Sequence, residues 1–128
     1  NNQLTSLDGL EALASVGGGL GIRYNDQLTS LISLDGLTSV GGDVDILGND
    51  NLTSLAGLEG LTSVVGDLHI TANDQLTSLA GLEGLTSVGG NLFIGHDWYG
   101  LSPGNPQFNA VMITSLDGLE ALTSVGGD

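Results

Sequence analysis

The sequence predicts a β-rich solenoid, resembling a right-handed β-helix, in which successive coils of chain stack along one axis. A unit of about 24 residues recurs, and its copies begin at Asn1, Asn25, Asn49 and Asn73. Apolar residues occupy fixed places in every copy, and 22 glycines allow frequent turns. Self-similarity at this period is typical of coils that bury one continuous core by stacking on their neighbours.

The repeat defines the domain organisation. We predict a single domain over residues 1–128, built from coils 1–24, 25–48, 49–72, 73–96 and 97–128. The last coil exceeds the repeat length and contains an insertion at about 98–112.

The first part of each coil places apolar residues at steps of three. The third copy shows this with Leu52, Leu55, Leu58, Leu61 and Val64. Glycines interrupt the run, and they are poor residues for the interior of a helix. This spacing predicts short turns or 3-10 segments bent around a core.

The second part of each coil switches to a spacing of two. Leu68 and Ile70 show it, as do the equivalent pairs in the neighbouring copies. Alternation places both apolar side chains on one face, as a half-buried strand requires. We therefore expect one strand per coil and one parallel sheet, with strands about 4.8 Å apart.

The combined pattern LxxVxxxLxIxxNxxLxxL resembles a leucine-rich repeat. It is carried by Leu61, Val64, Leu68, Ile70, Asn73, Leu76 and Leu79. The GG(D/N)LxI step most resembles the receptor L-domain variety, which is found in growth-factor receptors and bacterial surface proteins. The resemblance implies a solenoid and favours an extracellular or cell-surface location. It names no partner, because such repeats serve many functions.

One column of asparagine, Asn25, Asn49 and Asn73, follows the strands. Stacked amides can hydrogen-bond to one another and to backbone groups at a corner. We interpret this column as a structural ladder.

Charge excludes two classes of partner. The chain has 15 acidic residues and one Lys or Arg, which gives a formal net charge of −14. Nucleic acids and anionic membranes both require clustered basic residues, so neither is an expected partner.

Acidic residues also form columns, in which like charges would lie about 5 Å apart. We consider Ca²⁺ binding by these carboxylates, because Ca²⁺ takes oxygen ligands. The calcium-loop patterns of other proteins are absent, so diffuse screening by salt is the alternative. The candidate metal ligands are Asp26, Asp50, Asp74, Asp43 and Asp67.

The outward positions of the strands differ from copy to copy, which suggests a contact surface or unselected solvent-exposed variation. Asp45, His69 and Phe93 belong to this file. The insertion adds Trp98, Tyr99 and Phe108, and aromatic residues are favoured at interfaces. These six residues are the candidate binding residues, although the aromatic ones can instead cover the side of the core.

Catalysis is not expected. The chain has two histidines and no cysteine, and it contains no GxSxG motif. We predict a non-enzymatic structural or adhesive protein that either stacks end to end into a fibre or belongs to a longer surface protein. Its partners would be copies of itself, other surface proteins or glycans. A ligand-binding module and a calcium-dependent adhesin segment are alternatives, as is ice binding by the threonine columns Thr29, Thr53, Thr77 and Thr38, Thr62, Thr86.

Overall fold

The computed structural model describes residues 3–95 and 113–128. Over these residues the chain forms a β-solenoid with coils of about 24 residues and short parallel strands, which confirms the predicted fold class. Within the described ranges, the one helical segment is a 3-10 helix at Ile32–Leu34. No helix there is long and apolar enough to span a membrane.

The longer strands form the predicted parallel sheet, in the order β2-β4-β6-β8. Equivalent residues of successive coils pair directly, so Ile46 is the register partner of both Ile22 and Ile70. Like side chains therefore lie beside like side chains along the axis. The strands are β2 at Leu20–Arg23, β4 at Val44–Leu47, β6 at Leu68–Thr71 and β8 at Leu92–Gly95.

A second parallel sheet, which the spacing did not predict, runs in the order β1-β3-β5-β7-β9. Each of its strands is a Ser-Val dipeptide at the end of the three-residue steps. Ser87 pairs with Ser124 across the insertion, so the fifth coil keeps the register of the others. The strands are β1 at Ser15–Val16, β3 at Ser39–Val40, β5 at Ser63–Val64, β7 at Ser87–Val88 and β9 at Ser124–Val125.

The core lies inside the coils and is aliphatic. Leucines of the central coils, such as Leu31, Leu55 and Leu79, have 0% exposure. Burial of each such side chain stabilises the fold by roughly 1.5–3 kcal/mol. In the outer coils the same column is less covered, since Leu7 is only partly buried and Leu116 is 65% exposed.

Glycine and glutamate together shape a corner in four of the coils. Gly81 has φ +112°, a conformation that L-residues rarely adopt, and its N–H donates to Glu83 Oε2 at 2.9 Å. The second coil has Ser33 at the equivalent position, and the 3-10 helix forms there instead. Ser33 then donates its hydroxyl to Asp8 Oδ1 at 3.3 Å.

Candidate functional site

The asparagine column forms a continuous hydrogen-bonded ladder in the interior. Asn25, Asn49 and Asn73 are 5%, 0% and 7% exposed. The backbone N–H and side-chain amide of Asn25 both donate to Asn49 Oδ1, at 3.2 and 3.3 Å. Asn49 donates in the same way to Asn73 Oδ1, at 3.0 and 3.2 Å. These amides therefore satisfy buried backbone groups at the corner after each strand.

One acidic column is also part of the frame. Asp43 and Asp67, both candidate calcium ligands from the sequence, accept backbone N–H groups from the next coil. Asp67 N–H donates to Asp43 Oδ1 at 2.9 Å, and Asn91 N–H donates to Asp67 Oδ1 at 2.7 Å. A Cβ on Gly66 or Gly90 would collide with these carboxylate oxygens, so glycine keeps the approach open.

In the column of Asp26, Asp50 and Asp74, by contrast, neighbouring carboxylates repel one another. Partial burial raises the pKa of Asp50, and the neighbouring carboxylates of Asp74 and Asp26 raise it further. The three side chains therefore interact unfavourably, as stacking implies. Within residues 3–95 and 113–128, no group of three or more His, Asp or Glu side chains is arranged to hold a metal ion. Calcium binding stays a prediction.

The exposed face of the longer sheet brings three of the predicted binding residues together. Asp45, His69 and Phe93 occupy one register position on successive strands. His69 Nδ1 lies 2.7 Å from Asp45 Oδ1. The His69 and Phe93 rings lie 4.8 Å apart between centroids, tilted by 59°. Trp98, Tyr99 and Phe108 lie outside the described residues.

Two further residues contact this row of Asp45, His69 and Phe93. Arg23 was not among the predicted site residues, and Asp67 was predicted only as a metal ligand. The Arg23 guanidinium forms an ion pair with the Asp45 carboxylate. Asp67 Oδ2 lies 3.8 Å from His69 Nε2. Arg23 is the one Lys or Arg of the chain, and that singularity was the signal that could have identified it. Asp67 was identified from its acidic column, but its approach to His69 was not predicted.

Asp45 is held ionised by its neighbours. Partial burial is the largest single influence and raises its pKa, but the hydrogen bonds and charge interactions with Arg23 and His69 together outweigh it. The net pKa of Asp45 therefore lies below the ordinary value of 3.8. A carboxylate in this state accepts hydrogen bonds and donates none.

One of the two threonine columns proposed for ice binding, Thr38, Thr62 and Thr86, is exposed but already hydrogen-bonded within the solenoid. Thr62 Oγ1 donates to Thr38 O at 3.0 Å, and Thr86 Oγ1 donates to Thr62 O at 2.9 Å. Their hydroxyl hydrogens link neighbouring coils. Ice binding by this column stays a prediction.

No protein-family model, no curated protein and no solved structure matches this chain.

Proposed function

We propose that this chain is a non-enzymatic structural or adhesive solenoid of the leucine-rich-repeat kind, and that it acts at an extracellular or cell surface. The observation that carries the proposal is that the recurring polar side chains hydrogen-bond within the solenoid. Asn49, Asp43 and Thr62 each hydrogen-bond to a neighbouring coil. Side chains engaged in this way hold the shape of a rod rather than bind or transform a substrate.

The exposure of apolar side chains in the outer coils favours growth of the rod by stacking of further coils. Leu55 is 0% exposed, whereas Leu116, in the same column of the fifth coil, is 65% exposed. A further coil would bury this surface, whether it came from the same polypeptide or from a second copy. Stacking of separate copies would be a heterologous contact that does not close and would therefore give filaments.

Negative-stain electron microscopy and sedimentation velocity over a range of concentrations test the filament form of the proposal. We expect assemblies whose length grows with concentration. Leu116→Glu should abolish them, because it places a charge in the apolar contact. Ile32→Glu is the matched control, since Ile32 is 58% exposed and lies on a side of the rod. Single particles at every concentration, or equal effects of both variants, would contradict end-to-end stacking.

A recognition module is the second candidate, and the row of contacting residues on the longer sheet favours it. Phe93 is 47% exposed beside His69, and the row differs at each coil. Aromatic rings next to polar groups are common in contact surfaces for proteins and glycans.

An array of immobilised glycans tests this candidate directly. The wild-type chain should bind specific glycans, and Phe93→Ser should lose that binding. Ile32→Ser removes a comparable exposed apolar side chain away from the row and should leave binding intact. Absence of binding by the wild type, or equal loss in both variants, would count against a glycan contact at this face.

A further inference from the structure

His69 lies between two carboxylates on the exposed sheet face. Its Nδ1 lies 2.7 Å from Asp45 Oδ1, and its Nε2 lies 3.8 Å from Asp67 Oδ2. Nε2 is buried and has no hydrogen-bond partner. A separation of 3.8 Å is too long for a hydrogen bond. An unpartnered buried polar atom in a native fold calls for a physical explanation, and an ion is one.

The contact between His69 and Asp45 determines where the imidazole proton lies. The Asp45 carboxylate also forms an ion pair with Arg23, so it is an acceptor only. Nδ1 must then carry the hydrogen of the 2.7 Å contact. In neutral imidazole the other nitrogen, Nε2, presents a lone pair. Two acceptors, His69 Nε2 and Asp67 Oδ2, therefore face each other, and a cation between them would stabilise the arrangement.

We propose that His69 Nε2 and Asp67 Oδ2 together bind a divalent transition-metal ion of the Zn²⁺ class. An ion bonded to nitrogen and oxygen at about 2.0–2.2 Å can span two donor atoms at this separation. Imidazole nitrogen favours Zn²⁺ and related ions over Ca²⁺, which takes oxygen ligands. The site is therefore distinct in chemistry from the calcium sites considered for the acidic columns.

The surrounding contacts suit such a site. Asp45 orients the imidazole through the nitrogen that does not face Asp67, as carboxylates do for metal-bound histidines. Asp67 is itself held, because its Oδ1 accepts hydrogen bonds from Asn91 N–H and Nδ2 at 2.7 and 3.1 Å. Both side chains are 32% exposed, so the site lies at the surface of the sheet, and a small shift of the covering atoms would open Nε2 to an ion. Water would complete the coordination, which makes the ion readily exchangeable.

A titration with ZnCl₂ in buffer containing salt tests the proposal, with the histidine ring nitrogens followed by NMR. We expect the Nε2 resonance of His69 to shift on addition of Zn²⁺, and excess Ca²⁺ should not reverse the shift. His69→Gln should abolish this binding of Zn²⁺. Asp67→Asn should weaken the apparent Kd at least tenfold. This variant keeps a side-chain oxygen for the backbone of the next coil, as Asn91 does for Asp128.

Asp26→Asn is the control for net charge, because it removes one carboxylate from another column. It should change the Kd less than twofold. Equal weakening by Asp26→Asn and Asp67→Asn would show diffuse attraction of cations and overturn the site. The proposal would also be overturned if Nε2 did not respond to millimolar Zn²⁺, or if it carried a proton at neutral pH that Zn²⁺ did not displace.

Discussion

Asn49 donates two hydrogen bonds to the same atom of Asn73, one from its backbone N–H at 3.0 Å and one from its side-chain amide at 3.2 Å. The same amide also donates to Ile22 O at 2.9 Å. A single buried side chain, which follows β4, thus hydrogen-bonds to β2 on one side and to the corner after β6 on the other. Because Asn25, Asn49 and Asn73 are joined in one series of hydrogen bonds, the ladder holds their coils in register.

Replacement of Asn49 by alanine should therefore be costly. Asn49→Ala removes the amide that donates to the carbonyl of Ile22 and the buried oxygen that accepts from the N–H of Asn25. Each buried unsatisfied group costs about 1–3 kcal/mol. We expect the free energy of unfolding, measured by urea denaturation, to fall by about 2–4 kcal/mol. Asn51→Ala makes the same chemical change at an exposed site and should cost less than about 1 kcal/mol. Similar losses in both variants would contradict the role of the ladder.

Alanine substitutions at two glycines distinguish the cost of backbone strain from the cost of a steric collision. Gly81 has φ +112°, and a Cβ there would collide with the backbone of Leu55 and Ala56. Gly9 has φ +101°, but a Cβ there would meet nothing within 4 Å. We expect Gly9→Ala to destabilise the fold by about 1–2 kcal/mol through strain alone. Gly81→Ala should cost clearly more, as measured by thermal unfolding. Equal costs would show that the coils separate to admit the methyl group.

Leucines of one column should differ in their contribution to stability. Leu55→Ala removes a fully buried side chain and should lower the free energy of unfolding by about 2–5 kcal/mol. Leu116 is 65% exposed, so Leu116→Ala should cost less than about 1 kcal/mol in dilute protein. A cost for Leu116→Ala that rises with protein concentration would show that a second copy covers this surface.

Asp50 should oppose folding at neutral pH. Its pKa is raised by partial burial and by the carboxylates of Asp74 and Asp26, so the charged form is disfavoured in the folded state. The penalty is present above the raised pKa and disappears as the pH falls below the ordinary value of 3.8. Asp50→Asn should therefore raise the melting temperature at pH 7 and bring no gain at pH 3. Asp35→Asn corrects for the change in net charge, and an equal gain there would refute the local explanation.

The ion pair of Arg23 with Asp45 should stabilise the fold at neutral pH and lose this effect in acid, which is opposite to the effect of Asp50. The pKa of Asp45 is lowered in the folded state, so its ion pair with Arg23 stabilises the fold above the ordinary value of 3.8. That contribution is lost as the pH falls through the lowered pKa. Since the Arg23 side chain is 54% exposed, Arg23→Ala should cost no more than about 1 kcal/mol at pH 7. Urea denaturation of both proteins at several pH values measures the difference, which should vanish near pH 2.

Most of the frame was predictable from spacing. The alternation of Leu68 and Ile70 predicted β6, and the recurrence of Asn49 and Asn73 predicted a corner residue that stacks on itself. The Ser-Val strands were missed, because a two-residue strand has no alternation to detect. The sequence predicted 3-10 segments in general, but not the position of the helix at Ile32–Leu34. Its place depends on Ser33, where the other corners have glycine with a positive φ.

By itself, the sequence determined the coil length, the buried columns and the direction of stacking, because a fixed repeat brings equivalent residues together wherever coils lie in register. Only the tertiary structure decided which side chains meet across strands. The ion pair of Arg23 with Asp45, for example, joins residues at different positions of the repeat on neighbouring strands. The physical reason is that side-chain direction and coil-to-coil geometry set these contacts, and neither is written in the spacing of residues along the chain.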